Sequence, residues 1–496
     1  MSQAHALTMP WAHDRNLYCT PGRIIVKVSL GEAPESIPTA RDIRLGASEA
    51  ARQFDGGGGL DRVLRKFTER FKVRRIYAAA ASVGKHRDGE RHKGYDGLEH
   101  AIGLSRTFRL DVDRETSISN LADALRHVAT VEEVSPHYLC TLPFAPAGEV
   151  AAFDSEQAWS TRDQINAREA MAYATGDAAI IIAIVDTGVV LDHVELRARL
   201  RAGYDTVDLS PRDLSPGIKP VGDWQGKDTE ADDFVGHGTS CAGIIGAKGE
   251  RIPPGLAGAC SLLPIRVLGA AQVPYKGDPI GIGAISNIDA GLKRAIDLGA
   301  KVLNMSFGTP ETSLAEHDPP SHADVVRYGL ARGCVMVAAS GNSGETQRFL
   351  PAALDGVIAV GSVGPSGKPS SFTTRGDHVA LSAPGEKIVS TGLRGYQVGS
   401  GTSFAAPFVS AAAALLISRA EQRSESLDGR DVCRLLRESA RPFTARDQAQ
   451  GCGAGVLDVI AALRTLDREI DRDTAFTLEP GEILAQSESS GMKQRA

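Results

Sequence analysis

Four short segments carry side chains suited to acyl transfer, and each has glycine as a near neighbour. Ser403 lies in Gly399-Ser400-Gly401-Thr402-Ser403-Phe404-Ala405-Ala406-Pro407, on a turn ahead of an alanine-rich stretch that predicts a helix from Phe404 to about Glu421. Glycine lets the backbone bend sharply and approach a ligand closely. A helix start offers free N–H groups and a positive dipole end. A nucleophile whose attack creates an oxyanion belongs at such a place. Asp186 ends the apolar run Ile180-Ile181-Ile182-Ala183-Ile184-Val185, which reads as a buried parallel strand. Open α/β sheets put functional groups at that end of a strand. His237 lies between Gly236 and Gly238, at the head of a small-residue helix from about Thr239 to Gly246. A histidine whose ring must reach across a cleft needs such slim neighbours. Asn342 follows Val335-Met336-Val337-Ala338-Ala339-Ser340-Gly341, a second buried strand, and its amide could donate into the same cleft. Each segment alone has a plainer reading. Ser403 and Asp186 could cap turns, His237 could cap a helix, and Asn342 could occupy a left-handed turn.

The chemistry follows from the side chains. A serine hydroxyl is a weak nucleophile at neutral pH and needs a base. A histidine titrates in the right range to take that proton and return it to a leaving amine. An aspartate beside it would hold the imidazole tautomer and stabilise the imidazolium.

The four segments together, in the order Asp, His, Asn, Ser, resemble the subtilisin-like serine proteases (subtilases), from about Trp159 to about Leu466. The resemblance implies a serine endopeptidase acting through an acyl-enzyme. Asp186, His237 and Ser403 would form the triad, and Asn342 with the Ser403 N–H would form the oxyanion hole. It also implies that Gly281-Ile282-Gly283 and Ser306-Phe307-Gly308 pair with an extended substrate backbone. Ile285, Ile288 and Phe307 would make an apolar pocket for the fourth residue before the scissile bond. Ala339, Ser340 and Gly341 would line the primary pocket, with Arg348 or Phe349 near its base. The acidic run Asp228, Glu230, Asp232, Asp233 reads as a solvated loop; kexin-type relatives use acids there to read basic substrates. Cys241 falls where some subtilases carry a thiol, which would bring mercury sensitivity, and a small buried core residue fits equally. Calcium stabilises many members. Here Glu195 replaces the usual aspartate, and Lys248-Gly249-Glu250-Arg251-Ile252-Pro253-Pro254 lacks the usual asparagines. No metal site of the family type is expected, and no cofactor is required.

Composition is that of an ordinary globular protein. The chain has 496 residues, 42% hydrophobic and 23% charged, with 55 Lys+Arg against 61 Asp+Glu. No basic block suggests nucleic acid, and no apolar run approaches a membrane span. The first 21 residues lack the apolar core of a secretory signal. Seven scattered cysteines, with no CxxC, fit reduced thiols and a cytoplasmic setting.

The expected architecture is α/β: a doubly wound, mainly parallel catalytic domain at 157–466. Its central strands are read at Ile181–Val185, Leu262–Val267, Val302–Met305, Val335–Ala339 and Val357–Val360, and its helices at Ile285–Leu298, His322–Arg332 and Phe404–Glu421. Ahead of it, residues 23–143 read βαββαβ, the ferredoxin-like order. The strands are Arg23 to Leu30, Val73 to Ala78, Ser105 to Asp113 and Val131 to Cys140. The helices are Leu60 to Phe71 and Ser117 to about Val128. Val131-Glu132-Glu133-Val134-Ser135-Pro136 resembles the closing strand of subtilase propeptides, which implies an intramolecular chaperone and inhibitor. Gly31 to Gly59 and Ala79 to Leu104 read as long surface loops. Residues 1–22 form an extension, 144–156 a linker open to self-cleavage, and 467–496 a polar, disordered tail. Two other readings stay open. One is a processing protease dedicated to one partner protein or precursor peptide. The other is a pseudoprotease that keeps the fold as a binding module.

Overall fold

A computed structural model describes the chain except residues 1–12, 15–16, 40–41, 44–45, 47, 81–93, 143–152, 215–216, 227, 275–276, 446–447 and 478–496. Among the described residues, two large sheets organise the molecule. The first has seven parallel strands. From one edge they are Val379–Pro384, Val357–Val363, Val335–Ala339, Val302–Met305, Ile181–Asp186, Ser261–Arg266 and Tyr204–Asp205. The chain starts near the middle and winds outward in both directions, as a doubly wound sheet does. These strands are mainly apolar and almost wholly buried, as strands are when helices cover both faces. The helix Thr402–Gln422 runs through one side of the core. It is apolar enough to span a membrane by composition, contrary to the reading that no run approaches one, but 94% of the relevant window is buried inside the protein.

The second sheet joins the two parts of the chain. Its N-terminal portion orders the strands Lys72–Arg75, Thr107–Asp111, Leu17–Val28 and Val131–Thr141, all antiparallel. In chain order that is 2-3-1-4, the ferredoxin-like arrangement expected from the sequence. The helices Gly59–Phe67 and Ile118–Arg126 pack Leu60, Leu64, Leu121 and Leu125 against its inner face. The strand Val131–Thr141 then continues the sheet into the catalytic part, pairing with Ile280–Ala284.

Three expectations need correction. The stretch read as a loop from Ala79 to Leu104 contains a helix, Gly97–Ile102, whose capping box ties Asp96 to Glu99. Glu99 is buried because Lys293 of the catalytic part reaches it at 2.6 Å. The tail expected from Asp467 is helical through Thr477, since the helix Val459–Thr477 docks Ile470 in the core and Asp467 on Arg419. The helix behind the nucleophile candidate starts at Thr402, so Ser403 stands in its first turn and not on the turn before it. The proposed cleavage linker falls mainly outside the described residues, and the helix Ser155–Asp163 begins inside its predicted span.

Candidate active site

The strand Ile181–Asp186 carries Asp186 to its carboxyl end with no exposed surface. There the carboxylate accepts two bonds on one oxygen, from His237 Nδ1 at 2.7 Å and from the Thr187 N–H at 2.8 Å. His237 opens the helix His237–Gly246, two residues ahead of the predicted start. Gly236 before it takes φ +90°, a left-handed conformation that glycine adopts freely. A Cβ on Gly238 would stand 2.2 Å from the Gly188 carbonyl. Glycine on both sides is therefore a requirement of backbone and space.

The acidic run ahead of His237 is not uniformly solvated. Asp233 is buried, accepting from the N–H groups of Val235, Gly236 and Thr239 and from the Thr239 hydroxyl. It holds the loop that presents His237, a role sequence reading missed. Its signal was local: an Asp six residues before a Thr at a helix start.

Ser403 is 1% exposed, and its hydroxyl donates to the Ser306 carbonyl at 3.1 Å, not to His237. The two are nonetheless neighbours in one cluster. The His237 ring packs edge-on against Phe404 at 5.8 Å, and Cys241 Sγ contacts both Asp186 Oδ2 and the Ser403 carbonyl. Burial alone would depress the His237 pKa; the Asp186 charge and hydrogen bond outweigh it and hold the imidazole above its ordinary 6.5. Burial, then Asp186, pushes the Cys241 thiol well above its usual range, so it is no ready thiolate.

Asn342 is oriented by a residue that the sequence reading did not single out. Its Oδ1 accepts from the Thr402 N–H at 2.8 Å and the Thr402 hydroxyl at 3.0 Å. With the oxygen held there, Nδ2 faces the other way, shielded from solvent and with no acceptor among the described residues. A buried donor left unpaired costs free energy, about 1–3 kcal/mol. This one stands beside Gly401 and the first turn of the serine helix.

The two segments expected to hold a substrate backbone hold the strand Val131–Thr141 of the N-terminal part. Thr141 lies opposite Ile282, Cys140 opposite Gly283 and Leu139 opposite Ala284. The Leu142 N–H donates to the Gly281 carbonyl at 3.2 Å, and Thr141 also bridges to Gly308. Glycine at 281 makes room, since a Cβ there would meet Leu142 Cδ1 at 2.8 Å. Cys140 and Leu142 share one apolar cluster with Ile288 and Phe307. Ile285, expected in that pocket, instead packs against Tyr138 and Cys19. At the other expected pocket, Ala339, Ser340 and Gly341 are buried, and the Ser340 hydroxyl is committed to the Thr374 carbonyl. Phe349, not Arg348, closes against Gly341 and Gly308; Arg348 is drawn outward to Glu311 at 2.7 Å.

The Glu195 carboxylate is occupied by donors. It accepts from the N–H groups of Gly249, Glu250 and Arg251 and from the Tyr396 hydroxyl. Burial pushes its pKa up, but these bonds win and hold it below the usual range. Four positive dipole ends converge where a cation would need oxygen, so this residue set does not fit calcium.

Comparison with known proteins identifies the family. The sequence model of the subtilase family matches residues 177–453, more than half of the chain. A thermophilic serine proteinase of Bacillus sp. (strain AK1) is 35% identical over 249 residues, 49% of this chain and 53% of the relative. The chain thus spans about half the length of that protein. Thermitase of Thermoactinomyces vulgaris is 35% identical over 265 residues, 53% of this chain and 82% of the relative. Among solved structures, a protease from Pseudoalteromonas arctica PAMC 21717 matches with a TM-score of 0.53 at 24% identity, covering 65% of this chain and 100% of that one. That last likeness speaks for the fold alone.

Proposed function

The chain belongs to the subtilase family of serine endopeptidases, and on that premise we propose that it cleaves peptide bonds through Asp186, His237 and Ser403, restrained by its own N-terminal domain. The observation that carries the reading is the buried Asp186–His237 hydrogen bond at 2.7 Å, set beside Ser403 at the head of a core helix.

In the reaction, the Ser403 hydroxyl turns from the Ser306 carbonyl toward His237. Losing a neutral hydrogen bond of that kind costs about 1 kcal/mol, a small fraction of a catalytic barrier. His237 takes the hydroxyl proton as Oγ bonds to the substrate carbonyl carbon. Negative charge moves to the carbonyl oxygen. Asn342 Nδ2 and the Ser403 N–H donate to it, which gives the unpaired Nδ2 an acceptor only as the tetrahedral species forms. His237 returns the proton to the leaving amine, and the C–N bond breaks. Water, deprotonated by His237, then hydrolyses the acyl-enzyme and restores Ser403.

The N-terminal domain acts as an intramolecular inhibitor in this reading. Its last strand supplies the backbone bonds a substrate would make, and ion pairs lock its base. Arg74 and Arg109 meet Asp208, Arg23 meets Asp213, and Lys27 meets Asp324. Release follows cleavage in the segment after Leu142, which makes the chain a self-processing zymogen. The test is fluorophosphonate labelling together with intact mass. Wild-type protein should label at Ser403 and lose its N-terminal part, while Ser403→Ala stays unlabelled and full length. Retained peptide hydrolysis in Ser403→Ala would refute the assignment.

A further inference from the structure

We propose that the catalytic domain carries a further substrate subsite, built from Ile285, Leu314, Ala315 and Asp318, that selects a tyrosine two residues upstream of the side chain seated against Ile288 and Phe307. This rests on the reading above that the cleft now filled by Val131–Thr141 is the substrate cleft.

The occupant of the site in this structure is Tyr138. Alternate residues of a strand point to the same side, so Tyr138 projects beside Cys140, one pocket further from Ser403. Its ring is 1% exposed and packs against Ile285 and Leu314 of the catalytic domain. Its hydroxyl is read twice. The hydrogen goes to the Asp318 carboxylate, and the oxygen accepts from the Ala315 N–H at 3.0 Å. Only a group that both donates and accepts satisfies the pair. A phenol does; a phenylalanine ring does neither; a lysine ammonium cannot accept. Burial, and then Asp318, pushes the Tyr138 phenol far above its ordinary range, so it keeps the proton it donates.

Asp318 explains why the site would seek a new occupant. With the N-terminal domain in place its side chain has no exposed surface; Arg126, also on that domain, meets it at 2.5 Å, and the Ala315 N–H of the catalytic domain bonds it too. When that domain leaves, the carboxylate loses both side-chain partners together and keeps the Ala315 N–H. An occupant that covers the carboxylate again without bonding it leaves a desolvated acceptor short of a donor, so an incoming tyrosine that restores the phenol bond is favoured over an isostere that cannot. Asp318 would be a specificity residue, remote from the reacting atoms.

The experiment uses quenched-fluorescence peptides spanning residues 133–148 of this chain, with Tyr, Phe, Lys or Ala in place of Tyr138. Purified full-chain protein turns them over, and rates are normalised to fluorophosphonate-reactive serine. A peptide that is not cut is scored by the concentration that halves labelling. The tyrosine peptide should exceed the phenylalanine peptide by roughly 10- to 100-fold, carried by KM, because a hydrogen bond to a charged group is at stake. Asp318→Leu should bring that ratio to about one, and the isosteric Asp318→Asn should lower it severalfold. Equal rates for Tyr and Phe, a faster lysine peptide, or a ratio unchanged in both variants overturns the subsite. A protein without reactive serine would instead sink the proposed function. The subsite is then decided in the full Ser403→Ala chain by Tyr138→Phe combined with Asp318→Asn. Non-additive shifts of the unfolding midpoint support it, and additive ones overturn it.

Discussion

Two carboxylate–imidazole pairs in this molecule share nearly the same local geometry. His237 Nδ1 meets Asp186 Oδ1 at 2.7 Å, and His322 Nδ1 meets Asp289 Oδ1 at 2.5 Å. Each imidazole packs edge-on against a phenylalanine, Phe404 or Phe307, with centroids 5.8 Å apart. Both histidines are buried. Their surroundings separate them. The first pair sits at the head of two core helices, next to Ser403 and the unpaired Asn342 amide. The second lies on the boundary between domains, where the Tyr77 hydroxyl of the N-terminal domain reaches Asp289 at 3.4 Å. His322 itself takes φ +70°, and its Nε2 is buried without a partner among the described residues. An Asp–His pair is a device for orienting an imidazole. It becomes a base only where the fold sets a nucleophile and an oxyanion donor beside it.

The sharpest way to break this contrast is to remove each imidazole in turn. His237→Ala should lower kcat by about 10⁶, the size seen for this group in a related enzyme. His322→Ala should change kcat/KM less than about tenfold while lowering stability by about 1–3 kcal/mol, since it strips a partner from Asp289. Similar losses of activity in the two variants would erase the distinction. Asn342→Leu comes next. It should lower kcat by about 10²–10³ with KM nearly unchanged, again by analogy with a related enzyme. A loss confined to KM would move Asn342 out of the oxyanion role.

The smallest effect is in the pH profile. His237 must be neutral to accept the serine proton, and Asp186 holds its pKa above 6.5. Activity should therefore fall as pH drops through a value above 6.5, and removing the carboxylate should move that limb down. In stability the sign reverses. A raised histidine pKa adds stability that is fully present below 6.5 and lost as pH rises through the folded value. An acid limb at or below 6.5 in the wild type would show that Asp186 does not govern the imidazole.

The second pair also marks where sequence reading ended. Asp186, His237, Asn342 and Ser403 were legible because each has glycine within two residues at a strand end or helix start, and because the four segments taken together in that order resemble one family. His322 follows Asp-Pro-Pro-Ser, which looks like an ordinary loop, and Asp289 sits within an ordinary amphipathic helix. Asp233 looked like one acid in a solvated run until the loop it braces was in view. Ile285 was assigned to the pocket of Ile288 by the family resemblance, yet the helix that carries both presents them to different strand residues, Tyr138 and Cys140.

Local pattern therefore determined the α/β class and the ferredoxin-like order of the N-terminal domain, and the resemblance of four segments in order to one family pointed to the four central residues. Backbone periodicity and glycine placement are properties of neighbours in the chain. The tertiary structure decided what each group touches: Thr402 turning the Asn342 amide, Ser306 holding the Ser403 hydroxyl, Phe349 and not Arg348 standing beside Gly341, and Asp318 reaching Tyr138 across 180 positions. Hydrogen bonds and ion pairs form between atoms a few ångströms apart, and distance along the chain does not encode that proximity.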